Sequence, residues 1–215
     1  MKKILMLGLL AIVLSALTGC QKSENECRIH GTIPSSYDGK QIFLVPLTND
    51  NRYNVDSVYV KDGKFEFRSD TNMMAKIIMD WRYRYGVQTL LVVVEPGDVN
   101  VIIDSISHGS GTPQNDSLEK WKVRTQMHNM QYGKMRQAIG ALKELGNEAE
   151  VQRMEHSADS FHLAYKNFTR QMAANLKTGV LHDFLGAMFP KTYPKQMPDG
   201  KMVTIDADTH EVISQ

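Results

Sequence analysis

Two cysteines are all that 215 residues contain, and they are not spaced as Cys-x-x-Cys. The chain therefore lacks the dithiol motif of thiol exchange. An excess of either sign of charge is equally lacking. Against 24 Asp and Glu stand 25 Lys and Arg, without the concentrated basic face that a nucleic-acid partner requires. There is no glycine-rich phosphate loop, no nucleophile elbow and no carboxylate pair in a catalytic setting. The chain is thus expected not to be an enzyme and to carry no cofactor or metal. The one long apolar run, 4–17, is about 14 residues, against the roughly 20 that cross a bilayer as a helix. Behind Lys2 and Lys3 it reads as the apolar core of a secretory signal rather than a permanent span.

The end of that run carries the clearest address in the chain. Leu17-Thr18-Gly19-Cys20 resembles the lipobox of bacterial lipoproteins. The resemblance implies that residues 1–19 are a signal peptide, that Cys20 is the lipidation site carrying several palmitate-type acyl chains, and that residues 20–26 are a lipidated tether. Several chains together suffice for stable anchoring. Gln21 after the cysteine, in place of Asp, favours the outer membrane, with the periplasmic face and the cell surface both left open. Removing Lys2 and Lys3 leaves 23 basic against 24 acidic residues. With Cys20 acylated, Cys27 has no intramolecular partner and reads as a small buried residue at the start of a strand.

The remaining chain changes texture once. Stretches 27–33, 42–47, 55–60, 64–68, 75–81, 87–95 and 98–103 are rich in β-branched and aromatic residues, and they predict about seven short strands. Asp62-Gly63 is a hairpin signal and Pro96-Gly97 a second separator. Close spacing without intervening helices predicts an antiparallel sandwich or partly closed barrel over residues 27–110. From Thr112 the period becomes helical. Leu118, Trp121, Thr125, His128, Tyr132, Met135, Ile139 and Leu142 form one seam, and Val151, Met154, Ala158, Phe161, Tyr165, Phe168 and Met172 a second. Thr112-Pro113 offers a start and Gly146-Asn147 a break. The expected fold is α+β, with a long antiparallel helical hairpin and a short third helix (Leu181, Phe184, Leu185, Met188, Phe189) filling residues 111–189. Residues 190–215, with Pro190, Pro194 and Pro198, read as a loose tail.

Three stretches, VDSVYVKDGKFEF, LLVVVEPGDVNVIID and GTPQNDSLEKW, resemble in order and spacing the uncharacterised β domain that precedes thioredoxin-like domains in many anchored bacterial lipoproteins. In that family the thioredoxin-like domain performs thiol-disulfide exchange through Cys-x-x-Cys. This chain departs from the pattern, since no such motif occurs. The tail stretch MPDGKMVTID faintly resembles the lead-in to such a domain, which implies a truncated relative.

Other candidates are weighed against plainer readings. Trp81-Arg82-Tyr83-Arg84-Tyr85 would, if extended, put Trp81, Tyr83 and Tyr85 on one face as a stacking platform for a ligand. The plainer reading is a strand end whose aromatics close the core while the arginines reach solvent. His156, Asp159 and His162 sit three apart on a helix, but the outer two diverge by about 120° and do not chelate together. His128 on the first seam reads as a hydrogen-bonded packing residue. Asp206, Asp208, His210 and Glu211 lack the glycine and spacing of a calcium loop. The expected function is a membrane-anchored, non-enzymatic binding or interaction module for an envelope protein or glycan. The alternative is an accessory or truncated thiol-disulfide oxidoreductase relative working through Cys27.

Overall fold

The computed structural model describes residues 25–48, 51, 53–80, 82–83 and 86–214. Cys20, Trp81 and Tyr85 lie outside them.

Alternation of apolar and polar residues builds eight strands: Cys27–Thr32 (β1), Gln41–Pro46 (β2), Asp56–Tyr59 (β3), Lys64–Ser69 (β4), Met73–Met79 (β5), Leu90–Val94 (β6), Gly97–Ile102 (β7) and His108–Ser110 (β8). They form two four-stranded sheets, ordered β4-β1-β7-β8 and β3-β2-β5-β6. The sheets face each other across one core. Ile29, Phe67, Val99 and Val101 of the first meet Ile42, Leu44, Ile77, Leu90 and Val92 of the second. Asp62 (φ 52°) and Gly63 (φ 67°) make the tight turn after β3, both in the left-handed region that a primed hairpin turn needs.

The α+β class expected is present, with the sandwich rather than the partly closed barrel, and one pairing differs from the antiparallel arrangement expected. The sheets do not close into a barrel, and β1 pairs with β7 in parallel, Cys27 opposite Gly97 through Thr32 opposite Ile102. Between those strands the chain builds all of the second sheet, so no hairpin imposes opposite directions. Pro96-Gly97 is a crossover between sheets rather than a hairpin. It delivers β7 to the same end at which β1 begins.

Strand β6 reads Leu-Leu-Val-Val-Val because both its faces are covered. Leu90, Val92 and Val94 point into the sandwich. Val93, with Met74 of β5, faces a second core made with Leu118, Trp121, Ala173, Leu181 and Leu185. These belong to three helices, Pro113–Glu144 (α1), Glu148–Leu176 (α2) and Val180–Met188 (α3), which form a third layer. All fifteen seam residues expected on α1 and α2 are buried or half-buried. Beyond the sheets, Tyr132, Met135, Ile139 and Leu142 pack on Val151, Met154 and Ala158, a core of hairpin residues alone. Gly146 (φ 68°) ends the first helix, and the Asn147 side chain caps the second by accepting from Glu150 N.

The segment expected to be a loose tail carries Thr192–Gln196 (β9), Met202–Asp206 (β10) and Val212–Ser214 (β11), an antiparallel sheet ordered β11-β10-β9. Pro194 is accommodated because β9 is an edge strand, where a missing N–H costs no ladder bond.

Candidate functional site

The residues singled out in the sequence scatter. Tyr83 is half-buried against the sandwich core, with Lys40 Nζ 4.5 Å from its ring centroid. Its N–H donates to Asp80 O at 2.8 Å, and Arg82 and Tyr83 lie in a turn, not in the extended strand of the platform reading. Arg82 folds back onto the Asp80 carboxylate at 3.1 Å. Cys27 is 2% exposed, and burial pushes its thiol above the ordinary value. Desolvation of this kind disfavours the thiolate on which exchange depends. His156 and Asp159 are exposed. Among the described residues, no three His, Cys, Asp or Glu side chains are placed to hold a metal ion.

Two constellations gather most of the buried polar chemistry. The first joins α1 to β6, the edge strand of its sheet. Asn115, 2% exposed, accepts from Val93 N at 2.9 Å and donates to Val93 O at 2.8 Å, as a neighbouring strand would. Its amide also donates to Thr112 Oγ1 at 2.8 Å, so Thr112 makes no capping bond to the helix. That task falls to Glu95, which accepts from Gln114 N at 2.9 Å and Asn115 N at 3.3 Å. A carboxylate there complements the positive end of the helix dipole. Gln114 links a third element, donating to Glu95 at 2.7 Å and accepting from Leu181 N of α3 at 2.8 Å. The stretch Thr112-Pro113-Gln114-Asn115 is thus a joint. Its roles are illegible in sequence because a buried amide looks like any other Asn until its strand is known.

The second constellation lies between α1 and α2. His128, 5% exposed, stacks on Tyr165 at 4.1 Å, Phe161 at 5.3 Å and Tyr132 at 5.3 Å. Its Nε2 is 3.2 Å from His162 Nδ1, and its Nδ1 is 3.1 Å from Asn129 Oδ1. The pattern is satisfied when His162 donates to His128 and His128 donates to Asn129. Burial, then the neighbouring His128 and Lys166, hold the His162 imidazolium below its usual pKa, against a weaker opposite pull from Asp159. Phe189, just past α3, closes the stack edge-on to Tyr165 and His162. Tyr165 shares a 2.8 Å hydroxyl bond with Thr125, and Trp121 Nε1 donates to Thr169 at 3.3 Å.

The C-terminal sheet is fastened to the same helix. Asp208 pairs with Lys166 and Arg170. Arg170 and then Lys166 hold its carboxyl down to about 2. Arg170 also donates to Phe189 O at 2.8 Å and Pro190 O at 3.2 Å. Spacing along a single helix does not reveal the pairing of His128 with His162. Only the two seams, superposed antiparallel, bring them together.

The chemistry these groups offer is cohesion and orientation: nearly every buried polar atom named is engaged by the same chain. No curated protein and no solved structure shows significant similarity to this chain. Residues 27–118, from the first strand through the joint to the first helical turns, match the model of a domain of unknown function (DUF4369).

Proposed function

We propose that this protein is a membrane-anchored envelope lipoprotein of the outer membrane that acts without catalysis, presenting a rigid two-helix arm to an envelope protein or glycan. The joint carries the reading. Asn115, Gln114 and Glu95 spend their hydrogen bonds on the chain's own backbone and on each other, which fixes the direction of α1. At 32 residues that helix is about 48 Å long, and beyond Trp121 it packs chiefly on α2. A stiff arm on a sandwich, with a lipid at the other end of the chain, suits presentation better than turnover. The resemblance to β domains that precede thioredoxin-like domains supports a shared origin with them. The burial of Cys27 gives thiol exchange no support.

The test is crosslinking of the acylated protein in intact envelopes, gentle solubilisation and isolation. A defined partner, weakened by charge changes on the hairpin surface, is expected. Recovery as a monomer under every crosslinking condition would overturn the reading. Separately, Cys27 should react with maleimide only after denaturation. Labelling of the folded protein would revive the thiol alternative.

A further inference from the structure

We propose that the outer face of α1 is a docking surface for a bilayer containing anionic phospholipid. It deepens the anchor reading, on which it rests only for proximity.

Three large apolar side chains stand exposed in a row on α1: Val123 (52%), Met127 (52%) and Met130 (61%). Their spacing of four and three places them on one stripe. Val123 and Met130 come two positions after the buried Trp121 and His128, about 200° around the helix from the side that α2 covers. Asn115 and Leu118, which meet the sheets, point elsewhere, and Glu119, one turn before Val123 on its side, makes the last contact of that side with the sheets through Gly109 N. The stripe therefore faces away from both neighbours. Exposed Lys120 and Lys134 flank it, and Ala141 extends it.

Beyond the first two turns of α1 its charge has one sign; nearer the helix start Asp116 and Glu119 lie on the same side, Asp116 accepting from Gly111 N and Glu119 paired with Lys122. From 120 to 143 the helix carries Lys120, Lys122, Arg124, Lys134, Arg136 and Lys143 and not a single Asp or Glu. Lys122 is paired with Glu119 beside the stripe, and Lys143 with Glu155 on the side toward α2. The acid beside the stripe from α2, Glu150, is paired with Arg153. Apolar side chains at helical spacing between lysines are the pattern that seats a helix at the level of anionic headgroups. An acidic protein would satisfy the lysines too, but the anchor makes the bilayer the neighbour always present.

Position supports the choice. Gly97 N donates to Glu26 O at 3.1 Å, and Gly97 lies against Thr112 at the start of α1. The helix thus begins at the end of the sandwich where the chain from Cys20 enters. The seven residues 20–26 reach at most about 25 Å. So short a tether raises the effective concentration of a face too small to bind firmly alone.

The experiment uses the full acylated chain with Met127→Cys carrying a nitroxide, reconstituted into vesicles of phosphatidylethanolamine and phosphatidylglycerol or of phosphatidylcholine alone. Cys27 is buried, so the label is single. Collisions with oxygen relative to a water-soluble nickel relaxant should rise severalfold at 127 on the anionic vesicles. They should return to the aqueous ratio on phosphatidylcholine, in high salt, or with Lys120→Glu and Lys134→Glu. A label at His156→Cys on α2 should stay aqueous throughout. If Met127→Cys does not fold, Val123→Cys carries the same label. An aqueous ratio at 127 on anionic vesicles overturns the proposal, as does protection that appears only with an added envelope protein. Mass measurement of Cys20 separates the two readings. An acylated chain with an aqueous stripe keeps the anchor and loses the helix face, and an unacylated chain with a protected stripe does the reverse.

Discussion

Gly31 stands opposite Phe65 in the register of β1 and β4, and the ring lies flat across the space a side chain would occupy. A Cβ at Gly31 would come within 1.9 Å of Phe65. Overfilling a packed core typically costs about 1–3 kcal/mol, so Gly31→Ala should lower stability by that amount in chemical denaturation, and Phe65→Leu in the same chain should restore part of it. His162 makes a different prediction, about pH. Its folded-state pKa is lowered, so the unfolded chain binds the proton more readily. Its neutral form therefore stabilises the fold fully above about pH 6.5, the unfolded value. That contribution is lost as pH falls through the window below. Melting temperature should drop as pH falls from neutral toward 5, and His162→Phe should flatten that slope whatever it does to absolute stability. An unchanged slope would show that His162 is not the titrating element. Asp208, held at about 2, adds stability present above its ordinary value and lost only in stronger acid.

At the scale of elements, the joint predicts more than the helices do. Asn115→Ala would leave both backbone groups of Val93 buried and unpaired, at about 1–3 kcal/mol each. A loss of roughly 3 kcal/mol in denaturant unfolding is expected, with α1 still helical by circular dichroism because its hairpin core is separate. A loss below 1 kcal/mol would mean that water or a shifted strand replaces the amide. The helices themselves are legible in the sequence, because a period near 3.6 over 30 residues has few competing explanations. So are the strands, but not their partners. Nothing local in Cys27-Arg28-Ile29 distinguishes a parallel neighbour from an antiparallel one. The C-terminal strands are hidden by three prolines that read as loop signals, whereas Pro194 sits on an edge. Of the candidate site, the seam position of His128 can be read and its contact with His162 cannot, since that contact joins residues 34 positions apart.

The whole molecule is a stack of sheet, sheet and helices, with the C-terminal sheet clamped to α2 through Arg170 and Asp208. Among its described residues no helix is long and apolar enough to cross a membrane, so the anchor assignment rests on Cys20. Cys20→Ala should abolish acylation and move the protein out of the detergent phase in a partitioning assay, leaving its melting temperature unchanged. Partitioning like the wild type would remove the anchor assignment. The parallel pairing of β1 with β7 bears on how such a protein would carry load. A pull on the residues before Cys27 enters a central strand, gripped along six residues by β4 on one side and by β7 on the other. Tension along that strand must shear both ladders at once and cannot peel one bond at a time. Resistance to tugging would then be a matter of unfolding rate more than of equilibrium stability, and the tether would enter the sandwich at its mechanically strongest point.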